Sequence, residues 1–370
     1  MRERAACILL SALLCLPAVA AGRKKPKAPD QKPRAEWIAL PQGEQQEAVH
    51  YVQDFVQQRG SNLQILGLRA EAVSPRLAFL HDEMGTKFFL VVRDSFVHLV
   101  SERILAFTIG SRYGSVSRPA PFKKMIQKYD SLLVWMSRGV LPPEASLETK
   151  QASARVVPLL RQIAWRQFGL HDVFAGQTAP VVSGCGAVAL GQVMYFHRFP
   201  EVARGTCQYE TDEGKRICVE MEGVKLGWDG LKDSYGWHDR DTLTLAPLIR
   251  MCGIALHSVY GTKTTLTKMK YYREALTQHF GYAETARLVG GIAEGELVEY
   301  VRHEVEAGRP CILCDNQHIF VADGVFDEYL HFNLGWGGVA NGWFRLITPT
   351  TKMGEHTFLV SGVVGIQPAK

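Results

Sequence analysis

The sequence predicts an α+β protein made of two units, and three observations support this prediction. Helical periodicity precedes a series of short strands in the C-terminal part, an order typical of α+β proteins. Residues 139–154 contain a Pro-Pro pair and small polar side chains but no apolar periodicity, and they separate this part from a smaller N-terminal unit. The chain has 370 residues, 46% hydrophobic and 21% charged, so it is long enough for two cores and too apolar to be disordered.

The basic charge of the chain is concentrated near its N-terminus. The formal net charge is +5, and residues 23–34 alone hold six basic side chains and one acidic side chain. The rest of the chain is therefore close to neutral and offers no basic face. We accordingly expect no nucleic-acid partner.

Residues 1–21 are typical of a secretory signal peptide. Arg2 and Arg4 precede an apolar run that ends in the small residues Ala18, Val19 and Ala20. The run is shorter than the ~20 apolar residues that a membrane span requires. We therefore expect no stable membrane anchor. We expect the protein to be secreted, either extracellular or in the periplasm on its way out of the cell.

The N-terminal part is predicted to be a solvated linker followed by a compact α+β unit. The linker, residues 22–42, is basic and rich in proline, and the compact unit covers residues 43–138. Apolar spacing predicts helices over Glu44–Gln58 and Phe122–Met136. The β-like runs between them are Leu77–Leu80, Phe88–Val92, Val97–Val100 and Ile104–Thr108. The unit has no cluster of cysteine, histidine and acidic residues, so we expect it to make contacts rather than to catalyse a reaction.

Residues 155–370 are predicted to form the second unit. Nearly every position from Ala187 to Phe196 is apolar, which predicts a helix buried on most sides. Short strands separated by glycine turns follow in the last third of the chain. The predicted strands are Cys311–Cys314, His318–Ala322, Tyr329–Asn333, Gly342–Ile347 and Thr357–Ile366.

Six cysteines remain after the signal peptide, too few for a disulfide scaffold in a chain of this length. Cys207 and Cys218 flank a polar turn and are either bridged across a hairpin or free. If they are bridged, Cys185 has no obvious local partner, and an unpaired thiol in an exported protein is a candidate reactive group.

Cys185 is the first candidate catalytic residue. It lies at the start of the apolar helix, where unpaired backbone N–H groups and the helix dipole favour a thiolate. Gly184 and Gly186 would allow a substrate backbone to approach the sulfur. The alternative is a buried structural cysteine.

His318 is the candidate base for this thiol. If the hairpin that follows closes with Val325 and Phe326 as its two-residue loop, His318 faces Asn333 on the same side of the sheet. The asparagine side chain could then fix the tautomer of the imidazole and leave its other nitrogen for the thiol. The alternative is a hydrogen-bonded structural histidine, and a slip of one residue would turn His318 to the other face.

Two further residues could complete a site. The amide of Gln167 is a neutral donor suited to an oxyanion hole beside the Cys185 N–H. Trp336, framed by glycines, could wall a substrate cleft or cover the histidine, or simply pack in a turn.

The sequence resembles the streptopain family of secreted bacterial cysteine peptidases, which have a papain-like two-lobed fold with a helical lobe and an antiparallel β lobe. The resemblance extends from the signal peptide almost to the C-terminus and is looser over residues 201–297. Its main segments are SGCGAVALGQVMYFHRFP at Ser183–Pro200, HIFVADG at His318–Gly324, HFNLGWGG at His331–Gly338, VVGIQP at Val363–Pro368 and KFFLVVRDSFVHLVSERILAFTIG at Lys87–Gly110.

The resemblance implies roles for the candidate residues. The nucleophile of the family corresponds to Cys185, the general base to His318 and the oxyanion-hole glutamine to Gln167. The asparagine and the second tryptophan of the family's Asn-Trp-Gly-Trp-Gly-Gly segment correspond to Asn333 and Trp336.

The resemblance also implies an enzyme made as a latent zymogen. Residues 43–138 would be an inhibitory prodomain and residues 139–154 a processing linker. The expected partners are protein or peptide substrates and the chain's own prodomain, and no metal or organic cofactor is required. The chain departs from the family pattern at Leu334, at Gln317 and in the residues after Cys185, which affects the expected subsite shape more than the reaction type.

Other interpretations remain open at this stage. Four residues could act as zinc ligands, namely Cys311, Cys314, His318 and His331. However, Cys311 and Cys314 are three apart on a strand and therefore point to opposite faces. A catalytically impaired papain-like homologue could act as a binding module. The same residues could also hydrolyse amides of cell-wall peptides.

Overall fold

The computed structural model describes residues 38–59, 67–83, 86–109, 120–144, 155–173, 177–211, 214, 216–315, 317–347 and 358–370. The predicted signal peptide, most of the basic linker and most of the processing linker lie outside the described residues.

The described chain is a mixture of helices and short strands, as predicted. The helices are α1 (Gln42–Gln58), α2 (Ala120–Ser137), α3 (Cys185–His197), α4 (Ala246–Ala255), α5 (Tyr272–Glu274, continued by a π-helical turn over Ala275–His279) and α6 (Glu294–Glu306). Short 3₁₀ helices cover Asp94–Leu99, Trp228–Gly230, Asp239–Thr242 and Met269–Tyr271. The strands are β1 (Ile38–Ala39), β2 (Arg69–Ala72), β3 (Leu77–His81), β4 (Lys87–Val92), β5 (Ile104–Ile109), β6 (Arg155–Val156), β7 (Gly169–Leu170), β8 (Val181–Val182), β9 (Thr206–Glu210), β10 (Arg216–Glu220), β11 (Arg287–Gly290), β12 (Cys311–Cys314), β13 (Ile319–Phe326), β14 (Tyr329–Asn333), β15 (Gly342–Arg345) and β16 (Ser361–Val364).

One sheet runs through both predicted units. Its strands follow the order β1-β2-β3-β4-β5-β15-β14-β13-β12-β16-β11, and β6 pairs with β13 at its far end. The junction is the antiparallel pair β5–β15, in which Phe107 lies opposite Trp343 and Ala106 opposite Phe344. The N-terminal unit is therefore joined to the C-terminal unit by backbone hydrogen bonds as well as by side chains.

Helices cover both faces of the sheet around β12 and β13. On one face, Ile312, Ile319 and Val321 share a buried core with α3 and α4. On the other face, Leu313 and Phe320 share a core with α2 and α6. Because α2 belongs to the N-terminal unit, that unit completes the core on the second face.

Helix α1 closes a third core over the N-terminal strands. Tyr329 of the C-terminal unit is fully buried within it, and its hydroxyl donates to the carbonyl of Ile104 at 2.8 Å. A second tyrosine hydroxyl, that of Tyr129 on α2, donates to the carbonyl of Arg345 at 2.7 Å. Each unit thus places an aromatic side chain in the interior of the other.

The prediction of a strand over Val97–Val100 is wrong, because this segment lies largely in the 3₁₀ helix Asp94–Leu99. Val97 is exposed while Leu99 and Val100 are buried, so the segment does not alternate between two faces as a strand would. Asp94 at its start forms an ion pair with Arg103, which fixes the turn.

The predicted hairpin of Cys207 and Cys218 is present as β9 and β10, but no disulfide joins the two cysteines. Cys207 lies opposite Val219, and Cys218 lies opposite Gln208. Neighbouring residues of a strand point to opposite faces, so the two sulfurs cannot meet in this register. The unbridged alternative is the one that the structure adopts.

Within the described ranges, no helix combines the length and apolar character needed to cross a membrane.

Candidate active site

The N-terminus of α3 places Cys185 at the edge of a buried helix. Gly184, the N-cap residue, has φ of +84°, and a Cβ there would lie 3.0 Å from Cγ2 of Thr265. Both the backbone conformation and the close approach therefore require glycine. Residues Gly186 to Tyr195 are all buried, as the apolar pattern predicts.

The surroundings of the Cys185 sulfur favour the neutral thiol. Burial raises the pKa of Cys185 to about 11, and the backbone N–H of Ile319 offsets only part of this effect. The expectation that the helix N-terminus yields a thiolate is therefore wrong for this form of the chain, because loss of solvent disfavours the charged sulfur.

His318 is buried immediately before β13. Its Nε2 donates to the carbonyl of Leu334 at 2.7 Å, which assigns the proton to this nitrogen. The ring stacks on Trp336 with 4.6 Å between the centroids and 29° between the planes. Burial lowers the pKa of His318, so the imidazole is neutral.

The structure places Cys185 near the residue that follows His318. Ile319 directly follows His318, and it belongs to the buried core against which Cys185 packs. The imidazole Nε2 is hydrogen-bonded to Leu334, so Nδ1 is the ring nitrogen that can accept a proton.

The predicted pairing of His318 with Asn333 is wrong. The hairpin closes at Phe326 and Tyr329, so that Asn333 lies opposite Val321 and the loop is Asp327-Glu328. Asp327 has φ of +50°, a conformation that aspartate tolerates and the β-branched Val325 of the predicted loop does not.

The amide of Asn333 supports the neighbouring turn instead of the imidazole. Its Nδ2 donates to the carbonyl of Ile163 at 2.7 Å, and its Oδ1 accepts the N–H of Gly335 at 3.2 Å. The residue between them, Leu334, supplies the carbonyl that binds His318. Asn333 therefore acts on the histidine through the backbone of this turn.

Gln167 is held beside the start of α3 by its two neighbours. Arg166 forms an antiparallel bridge with Trp336. Phe168 and Ser183 exchange hydrogen bonds, with Ser183 N donating to Phe168 O at 2.9 Å and Phe168 N donating to Ser183 Oγ at 3.1 Å. The backbone of Gln167 is thereby fixed between the turn of Trp336 and the residues that lead into Cys185.

Comparison with known proteins shows which family the C-terminal unit resembles. A sequence model of the Peptidase C10 family matches residues 165–344, a range that includes every candidate site residue. Streptopain of Streptococcus pyogenes serotype M1 is 24% identical over 218 residues, which are 53% of this chain and 54% of streptopain. Over the matched range, the chain is similar to the Peptidase C10 family.

A second curated relative extends the similarity toward the N-terminal unit. The thiol protease/hemagglutinin PrtT of Porphyromonas gingivalis is 24% identical over 308 residues, 72% of this chain and 34% of that protein. The chain spans about half the length of streptopain and about a third of PrtT.

A solved structure shows the fold. A fragment of Prevotella intermedia prointerpain A aligns with a TM-score of 0.67 at 20% identity, covering 82% of this chain and 99% of the fragment. The predicted α+β, papain-like fold is confirmed, and the alignment covers more of the chain than the catalytic unit alone.

Sequence reasoning missed the residues that hold the loop of His318. Oδ1 of the buried Asp315 accepts the N–H groups of His318 at 2.7 Å and Gln317 at 3.0 Å. Lys128 of α2 lies 3.6 Å from Oδ2 of Asp315, and Lys124 of α2 bonds to the side chain of Gln317. The Asp-Asn pair at 315–316 is a turn signal, but no sequence pattern links it to lysines nearly 190 residues away.

The zinc alternative does not fit the structure of β12. Cys311 faces the core shared with α2 and α6, whereas Cys314 contacts the core of α3 and α4. Two sulfurs on opposite faces of β12 cannot bind one tetrahedral metal ion.

Proposed function

We propose that this chain is the latent precursor of a cysteine endopeptidase, with Cys185 as nucleophile and His318 as general base and acid. The observation that carries the proposal is the packing of Cys185 against the buried core that contains Ile319, because Ile319 directly follows His318. The similarity to the Peptidase C10 family and the papain-like fold support the same chemistry. Protein or peptide chains are the substrates.

The reaction proceeds by covalent catalysis. His318 takes the thiol proton of Cys185, and the sulfur attacks the scissile carbonyl carbon. The backbone N–H of Cys185 and the amide of Gln167 hold the developing oxyanion, each contributing about 3 kcal/mol to the barrier reduction. The imidazolium then gives its proton to the leaving amine, and water hydrolyses the thioester to release the acid and restore the thiol.

Latency arises from the docking of α2 against the loop that carries His318. The Nε2 of His318 donates to Leu334, which fixes the tautomer and leaves Nδ1 as the nitrogen that can accept the thiol proton. Lys128 and Lys124 of α2 hold the loop of Asp315 and Gln317 that carries the histidine. Cleavage within residues 139–154 and departure of the N-terminal unit release this loop. Residues 1–21 direct the precursor out of the cytoplasm, and the enzyme acts as a secreted protein.

The decisive experiment compares the native chain with Cys185→Ala. Under reducing conditions the native chain should convert itself to a form whose N-terminal sequence begins near residue 150, and this form should digest casein. Cys185→Ala should do neither, while Cys218→Ser, at a cysteine on β10, should behave like the native chain. Equal processing and equal digestion by native chain and Cys185→Ala would overturn the proposal.

A further inference from the structure

Trp237 is a large aromatic side chain that remains exposed next to the candidate site. The residue is 59% exposed. One face of its ring is covered by the guanidinium of Arg166, whose Cζ lies 5.5 Å from the ring centroid. A single exposed tryptophan is unremarkable on a protein surface. Trp237 is of interest because of its position next to the candidate site.

The buried side chain of Arg166 ties Trp237 to the residue of the oxyanion hole. Its Nε donates to the carbonyl of Gly236 at 3.0 Å, and its Nη1 donates to the carbonyl of Gln167 at 2.9 Å. One planar guanidinium therefore fixes the backbone before Trp237 relative to Gln167. Because the guanidinium of Arg166 is rigid, its hydrogen bond to Gly236 also holds the indole of the next residue, Trp237, beside the site.

The indole also contacts the glycine turn after Trp336. A Cβ on Gly337 would lie 3.5 Å from Cζ2 of Trp237, which shows how closely the ring approaches this backbone. Trp336 itself stacks on His318. Four groups thus form a continuous row, which runs from the imidazole of His318 through the indole of Trp336 and the turn at Gly337 to the indole of Trp237.

The chemistry of the proposed reaction determines which side of the cleft this row occupies. The general acid protonates the leaving amine, so the surface that continues from His318 meets the part of the substrate after the scissile bond. Trp336 lies against the histidine and faces the first residue there. Trp237 lies one turn further, and an extended peptide advances about 3.3 Å per residue.

We propose that Trp237 determines specificity on the leaving-group side, by binding an apolar or aromatic side chain of the second or third residue after the scissile bond. The proposal rests on the proposed peptidase function. Because Trp237 is 59% exposed, its indole can stack on such a side chain, and the guanidinium next to the ring disfavours lysine or arginine at the same position.

The test uses two kinds of substrate with the full chain activated under reducing conditions. A peptidyl coumarin amide has no amino acid after the scissile bond, so it reports on the catalytic residues alone. Internally quenched peptides that carry Phe, Ala or Lys in turn at each of the three positions after the bond report on this side of the cleft. The variants are Trp237→Ala, Trp237→Phe and, as a matched control, Leu288→Ala at an exposed apolar residue on β11.

For the native enzyme, we expect kcat/KM about five- to tenfold higher for Phe than for Ala at the second or third position. Trp237→Ala should lose this preference and keep its kcat/KM for the coumarin amide, while Trp237→Phe and Leu288→Ala should keep both. An unchanged preference in Trp237→Ala, or no aromatic preference in the native enzyme, overturns the inference. If the native enzyme cleaves neither substrate, the result contradicts the proposed function on which the inference rests.

Discussion

At the scale of single residues, burial determines which groups of the site carry charge. Burial raises the pKa of Cys185 and lowers that of His318, so both are neutral in the full chain near pH 7. A thiol is a much weaker nucleophile than a thiolate. The precursor therefore holds both reacting groups in place in an unreactive protonation state, which agrees with the proposed latency.

Glu294 is a buried acid whose charge state changes in the physiological range. Burial raises its pKa to about 7. Its Oε1 accepts the N–H of Leu359 at 2.6 Å, whereas Oε2 is buried without a hydrogen-bond partner among the described residues. Lys128 of α2 is close enough to favour the ionised form.

The raised pKa of Glu294 predicts a pH-dependent stability. Between about pH 4.5 and 7 the folded chain keeps a proton that the unfolded chain releases, so stability falls as pH rises through this window. The full effect is roughly 3 kcal/mol, at about 1.4 kcal/mol per pKa unit. In a Cys185→Ala background, Glu294→Gln should remove this slope in urea unfolding measured from pH 4.5 to 7.5.

The exposed Glu296 on the same helix provides the control for this measurement. Glu296→Gln should keep the pH dependence of the parent chain. A slope that persists in Glu294→Gln would show that another group is responsible.

At the scale of elements, the sequence predicts which segments are helices and strands better than it predicts their register. Five elements lie within two residues of their predicted bounds, because their apolar periodicity is strong. They are the helices α1, α2 and α3 and the strands β12 and β14. The register of β13 with β14 depends on one turn residue, Asp327, and on an irregularity between Ala322 and Gly324. Periodicity carries no information about either, so the partner predicted for His318 was wrong.

Helix α2 is predicted to maintain latency through its lysines. Lys128 donates to the carbonyls of Asp315 and Phe358 and lies beside the Asp315 carboxylate. Lys128→Gln should weaken this docking by roughly 1 kcal/mol and speed self-processing about fivefold. A time course on denaturing gels, with the exposed Lys123→Gln as control, measures the effect. Equal rates for Lys128→Gln and the native chain would contradict this role of α2.

At the scale of the whole molecule, the two units form one folded body. The pairing of β5 with β15 and the shared core under α2 connect residues more than 200 positions apart. The sequence predicts each unit separately, since each has its own local patterns. It does not predict that they share a sheet, because edge strands present similar hydrogen-bonding groups to any partner.

A buried ion pair between the start of the processing linker and the C-terminal unit should contribute to the stability of the full chain. Glu144 and Arg345 are both buried and lie 2.6 Å apart. Glu144→Gln leaves the guanidinium without its main counter-charge and should destabilise the Cys185→Ala chain by about 2 kcal/mol, measured by thermal or urea unfolding. Adding Arg345→Met should recover part of the loss. Additive losses in the double variant would show that the pair is not coupled.

The central claim is that Cys185 and His318 act together, and site-specific covalent labelling tests it most directly. The processed chain is incubated with a peptidyl epoxide, and the adduct is located by mass spectrometric peptide mapping. His318→Ala, which should not process itself, is first cleaved by a trace of native enzyme that is then removed. The account predicts one adduct per chain, on Cys185, formed at least 100-fold more slowly in His318→Ala. An adduct on another cysteine, or equal labelling rates with and without the imidazole, would contradict it.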